Sequence, residues 1–155
     1  MKSLLTQDIP DVMSCMLMPV MGQIILLPSV CVAEVNHLSL PDNEAQDSWY
    51  MGAVQWRGLE VPMISLEQLL MGRDLTASPM SRLLVLNAIS GSGFAFWAMP
   101  ILGLPKTLKV SQEQLAIMDQ ELQPGEKAMV KTEYGAALLP DLDYIEAQIA
   151  EELAR

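Results

Sequence analysis

Residues 52–66 read GAVQWRGLEVPMISL, and few folds can accept that stretch. Val54 and Trp56 alternate up to Arg57-Gly58, and Leu59, Val61 and Met63 alternate beyond it. A period of two is the mark of strands with one buried face. Gly58 supplies the backbone freedom that a tight turn uses. The stretch is therefore expected to be a hairpin, with Val54 and Trp56 inward and the Arg57-Gly58 tip in water. Pro62 has no N–H to give to a ladder, so its strand is expected at a sheet edge or bulged at that point. Ser65-Leu66-Glu67-Gln68 then matches a capping box, with Gly72 as a stop, and predicts a short helix over residues 66–71.

The rest of the chain supplies partners for that hairpin. Residues 12–33 carry no charge, a length that raises the question of a membrane span. Pro19, Gly22, Gln23 and Pro28 punctuate the run, so short buried strands over 14–20, 24–27 and 30–35 fit it better than one helix. Further strands are expected over 82–88, over 94–99 with Pro100 ending it, over 102–110, and as a final hairpin over 126–132 and 135–139. Ser111 to Gln114 form a second capping-box match and predict a short helix to Met118. In the tail, Asp143 is expected to cap a helix with Glu146 completing the box. Ile145, Ile149 and Leu153 give that helix an apolar stripe, and its acidic face is read as solvated. Residues 1–11 read as a flexible lead-in, and 41–48 and 73–81 as polar loops. About nine short strands with turn signals between them predict a mainly β barrel or sandwich, forming a single domain from residue 12 to 155.

Composition narrows the function classes. A chain of 155 residues that is 51% hydrophobic and 18% charged can bury a sizeable core. Its net charge of −10, with Lys and Arg scattered, argues against nucleic-acid binding and against anionic membranes. Cys15 and Cys31 lie in apolar surroundings and read as reduced, buried thiols. Asp8, Pro10 and Asp11 interrupt any signal-peptide core after Lys2, so a cytoplasmic protein is expected. Asp42, Glu44 and Asp47 fail the calcium-loop pattern, which needs Gly at its sixth position and Glu at its twelfth. His37 has no accompanying nucleophile motif, and no Cys or His pair has metal spacing. No catalytic residue, cofactor or metal site is expected. Binding remains, with Met51 and Met99 as candidates for an adaptable partner groove. A β-barrel carrier of a small molecule or lipid is the alternative, and it would need an apolar internal cavity.

The hairpin and helix together resemble the signature of the CheW-like family, the coupling domains of bacterial chemosensory arrays. That signature reads Gly-Val-x-Asn-Leu-Arg-Gly, three residues, then Pro-x-x-Asp-Leu. Gly52, Arg57, Gly58, Pro62 and Leu66 stand at the same spacing, with Gln55 for Asn, Trp56 for Leu and Ser65 for Asp. The resemblance implies two small five-stranded SH3-like β-barrels with a few short helices and a C-terminal helix. It also implies an adaptor, without catalysis, that bridges a methyl-accepting chemoreceptor to a CheA-type histidine kinase. On that basis Arg57, with Gly58, Trp56 and Gly52, is expected on a docking face, and Val32 and Glu34 at positions of receptor contact. In the family an Asp follows the strand placed here at 94–99, where this chain has Pro100. The divergent motif and short N-terminus point to a branch serving chemosensory pili.

Overall fold

The computed structural model describes residues 12–20, 22–41, 48–72, 80–111 and 116–155. The lead-in, most of the two polar loops and residues 112–115 of the expected helix at 111–118 lie outside the described residues; Ser111 ends a strand instead.

The fold is mainly β, as two small sheets. The first runs in the order β8 (Lys106–Ser111), β1 (Val12–Val20), β2 (Gln23–Pro28), β11 (Gly135–Pro140), β10 (Glu126–Thr132), β9 (Ala116–Ile117). The second runs β3 (Val32–His37), β6 (Arg82–Asn87), β7 (Phe96–Ile101), β5 (Leu59–Ile64), β4 (Tyr50–Trp56). Neighbours pair antiparallel except at one parallel bridge in each sheet, Leu138 with Ile25 in the first and Met63 with Ala98 in the second. The second sheet is built from one continuous run of chain, whereas the first takes strands from both ends.

Alternation sorts the side chains into three cores. Cys15, Leu17, Leu26, Leu108, Val130 and Ala137 fill the inside of the first sheet. Val54, Trp56, Val61, Leu83, Val85 and Ala98 fill the inside of the second. The intervening residues, Met18, Ile25, Leu27, Leu84, Leu86, Trp97, Met99 and Leu138 among them, point the other way and meet in a third core between the sheets. Central strands are thus buried on both faces, which is why residues 12–33 carry no charge and β6 reads as an unbroken apolar run. This arrangement is the pair of small SH3-like β subdomains that the family resemblance implies, with the two-residue β9 added to the first.

Two helices complete the fold. In α1 (Leu66–Met71) the Ser65 Oγ accepts from the Gln68 N–H at 3.2 Å, and Gly72 ends the helix at φ +64°, as expected. In α2 (Leu142–Leu153) the cap is Asp141, not Asp143, because Asp141 has the extended backbone that a cap requires and accepts from the Tyr144 N–H. Ile145 and Ile149 are fully buried, while Leu153 at the end of the stripe is exposed.

Several boundaries differ from expectation. Val30 lies in a 3-10 turn, Ser29–Cys31, and is 82% exposed; the strand starts at Val32. Pro100 does not end β7 but pairs with Leu83 inside it. Residues 116–117 are strand, so the expected helix does not reach Met118. The strand expected over 102–110 begins only at Lys106, beyond Pro105. Pro62 is not on an edge strand, since β5 lies between β4 and β7, and the irregular register is in β4, between Tyr50 and Gly52. Pro62 is tolerated there because β5 meets β7 at a single bridge, which leaves few ladder bonds for a missing N–H to break. Leu59, expected inward, is exposed beside the turn.

Candidate functional site

The β4–β5 turn gives the candidate site its shape. Arg57 has φ +51° and Gly58 φ +76°, both left-handed, as in the turn type whose twist suits a two-residue hairpin. Arg57 is the one non-glycine residue with positive φ among the described residues. Alternation sends Trp56 into the second sheet, where its ring meets Phe96 edge to face at 4.8 Å. Arg57, at the tip, turns its guanidinium back over the Trp56 ring, 5.1 Å from the ring centre.

Glu34 comes from β3, at the opposite edge of the same sheet. Its carboxylate accepts from the Trp56 indole N–H at 2.6 Å, from the Arg57 guanidinium at 2.7 Å and from the Asn36 side-chain amide at 3.2 Å. The sheet curls far enough for its two edge strands to meet, and side chains rather than backbone bonds fasten them. The Trp56 indole first, and then Arg57, hold the Glu34 carboxyl below its ordinary range. The Arg57 side chain remains 67% exposed. A guanidinium has five N–H donors in a rigid fork. Glu34 takes one nitrogen of this fork, and the rest faces water.

Four of the six residues expected at the site, Glu34, Trp56, Arg57 and Gly58, therefore form one cluster. Val32 does not join it. It pairs with Leu86, is separated from Glu34 by a register shift, and packs half-buried against the core between the sheets. Gly52 stands farther along β4, at the bulge, with φ +110°. Of the two methionines expected at a groove, Met99 is 1% exposed in the central core, which excludes it from any surface; Met51 is half-buried against the second sheet's core. His37 ends β3, exposed. Cys15 and Cys31 are free and buried, and burial pushes both thiols up. Sequence reasoning missed Asn36 and Phe96, which complete the cluster from β3 and β7. Neither has a local signal, because each meets the hairpin only through the sheet.

Among the described residues no group of three or more His, Cys, Asp and Glu could hold a metal ion. Among them too, no helix is long and apolar enough to cross a membrane. A groove of about 400 Å³ lies between β8 and β10, but it is open to solvent and bordered by Lys109, Lys131 and Glu133.

A family model described as the CheW-like domain matches residues 14–148. The chain belongs to the CheW-like domain family. The CheW-like fold is also seen in a crystal structure of the scaffolding protein TtCheW from Thermoanaerobacter tengcongensis. That structure is similar over 89% of this chain and 90% of its own, at a TM-score of 0.72 and 13% identity. A search of curated protein sequences gave no significant match. In this CheW-like chain the signature residues Arg57 and Gly58 form the hairpin tip, and Pro62 and Leu66 are the buried steps that lead from it into α1.

Proposed function

We propose that this CheW-like chain is a cytoplasmic adaptor without catalysis, which couples a methyl-accepting chemoreceptor to a CheA-type histidine kinase in a bacterial chemosensory system. The observation that carries the proposal is the Arg57 guanidinium, exposed at a rigid tip, oriented by Glu34 and lying over Trp56. A donor held in place before binding loses little freedom on binding, and arginine is enriched among interface hot spots. A partner surface that offers a carboxylate or a row of backbone carbonyls suits the free side of the fork. Gly58 permits the turn, Trp56 supports Arg57 from beneath, and Gly52 shapes the strand that carries both; Glu34 continues the surface on β3, while Val32, at the start of that strand, packs toward the central core.

The carrier reading has less support. Side chains fill the interiors of both sheets, and the open groove beside β8 lacks the apolar enclosure that a lipid needs.

Titration of Arg57→Ala against kinase and receptor fragments tests the proposal. A hot-spot arginine contributes about 2 kcal/mol or more, near thirtyfold in affinity. The melting temperature should stay nearly unchanged, because water screens an exposed ion pair. Wild-type affinity of the variant for both fragments refutes the docking role. A pull-down from the native cytoplasm shows which receptor and kinase are met, and whether they serve a pilus system, as the divergent signature suggests.

A further inference from the structure

Glu146 is expected from sequence to complete a capping box on a solvated helix face. It is instead fully enclosed, at 0% exposure. Its oxygens accept from the Ile89 N–H, 3.0 Å from each, and from the Ser90 N–H at 2.8 Å. They also accept from the Ser90 hydroxyl at 2.6 Å and the Trp97 indole N–H at 3.1 Å. Every one of these partners is a neutral donor, and neither ion pair among the described residues includes Glu146.

The placement gives this network its meaning. Helix α2 follows β11 directly, and Asp141 at its cap donates to the Gly125 carbonyl before β10, so its start is tied to the first sheet. The donors to Glu146 all belong to the β6–β7 connection and to β7, in the second sheet. The side chain thus reaches across the boundary between the subdomains. Most of that boundary is the apolar central core, whose driving force is non-directional and which resists rotation only through the fit of its side chains. Where the chain crosses from the second sheet back to the first, the Leu102 N–H donates to the Pro19 carbonyl at 2.8 Å. At the other crossing, Ser29–Cys31, the Asn87 side-chain amide donates to the Val30 carbonyl at 3.1 Å. Both bonds hold the connecting chain, and a directional attachment away from the crossings adds a constraint on rotation.

We propose that Glu146 is a pin that fixes the rotation of the second subdomain against the first. On the adaptor reading, it also sets the angle at which surfaces on the two subdomains meet their partners. Burying a carboxylate without a counter-charge is costly, and an apolar residue of similar size would avoid that cost. What the carboxylate adds is direction: four donors converge on it in one relative placement of the sheets and in no other. Ile89, whose N–H is one of the four, turns a half-exposed side chain outward beside the pin, so rotation at this point would move the outer surface as well.

Residual dipolar couplings on the ¹⁵N-labelled chain test the pin. In wild type, couplings from the two sheets should fit one alignment tensor. Glu146→Met keeps the length and removes both acceptors; its sheets should need two tensors, and the Ile89 and Ser90 amides should exchange at least about tenfold faster with solvent. Glu146→Gln keeps one acceptor and should fall between. The pin is overturned if wild type already needs two tensors, or if Glu146→Met fits one tensor in the wild-type orientation. Should Glu146→Met not fold, the same result in Glu146→Gln overturns it. Titrating wild type with kinase and receptor fragments separates the two ideas: failure of both to bind removes the adaptor reading and leaves the tensor result standing.

Discussion

Trp56→Ala is the perturbation that most sharply tests how the second sheet is fastened. The Trp56 side chain is 8% exposed, meets Phe96 edge to face, and donates to Glu34 across the open edges of the sheet. Truncation leaves a cavity the size of an indole, for which buried aromatic residues typically lose about 3–5 kcal/mol. The lost aromatic pair lies within that range or adds up to about 1 kcal/mol. A domain of this size has about 5–15 kcal/mol to lose, so a fifth or more of the total stability is at stake. At about 2–4 °C per kcal/mol, the melting temperature should fall by roughly 6–20 °C. Trp56→Phe refills most of the cavity but cannot donate to Glu34, and should recover at least about half of the loss. Urea unfolding followed by far-ultraviolet circular dichroism measures all three proteins. If Trp56→Ala unfolds within about 1 kcal/mol of wild type, Trp56 does not anchor the sheet. If Trp56→Phe equals wild type, the indole bond to Glu34 does not fasten its edges.

Three further outcomes follow from the same geometry. The Glu34 carboxyl titrates below its ordinary range, so its contribution to stability is present above the unfolded value of about 4.3 and is lost as pH falls through the folded value; Glu34→Gln should remove that acid-side loss, and a carboxyl-detected NMR titration of the wild type reads the direction of the shift. Gly125 has φ +91°, and a Cβ there would run into Leu70 of α1 and Tyr144 of α2, so Gly125→Ala should destabilise the chain by about 1–3 kcal/mol in urea; an unchanged midpoint would show that the two helices can part freely. Cys15 and Cys31 are buried with raised thiols, so a thiol reagent should label both slowly in the native protein and at once in guanidinium; rapid native labelling would contradict their enclosure.

The sequence was most legible where one side of an element faces water. The hairpin at 52–64, the Ser65 cap and the β10–β11 hairpin each carry a local signal, and each forms close to where that signal places it. Where both faces are buried, as in β6 and β7, alternation disappears and nothing in the strand says which neighbour it takes. Pro62 and Pro100 depart from expectation for that reason, since a proline's place depends on the ladder around it rather than on its own strand. Leu59 kept the right period but sits too near the turn for the sheet to cover it. Arg57 and Gly58 were readable from the turn alone. Their union with Glu34 was not, because β3 and β4 occupy opposite edges and meet only through the curl of the sheet. Glu146 has the spacing of a cap partner, three residues after an Asp, while its donors lie 49 to 57 positions earlier, where no local pattern points to them.

The chain order of the two sheets has a consequence for synthesis. The second sheet lies on an uninterrupted run and can close while the ribosome is still making the remainder. The first sheet cannot, because β2 must wait for β11, and the Ile25–Leu138 bridge joins residues 113 positions apart. Until then the β1–β2 hairpin presents apolar side chains on both faces, with an open edge and no charge to discourage other chains. A nascent chain halted before Gly135 should therefore hold a second sheet with its own inner core closed and a first sheet with an open edge. Chaperone demand, and any toxicity of C-terminally truncated forms, should trace to the first thirty or so residues rather than to the region that is missing.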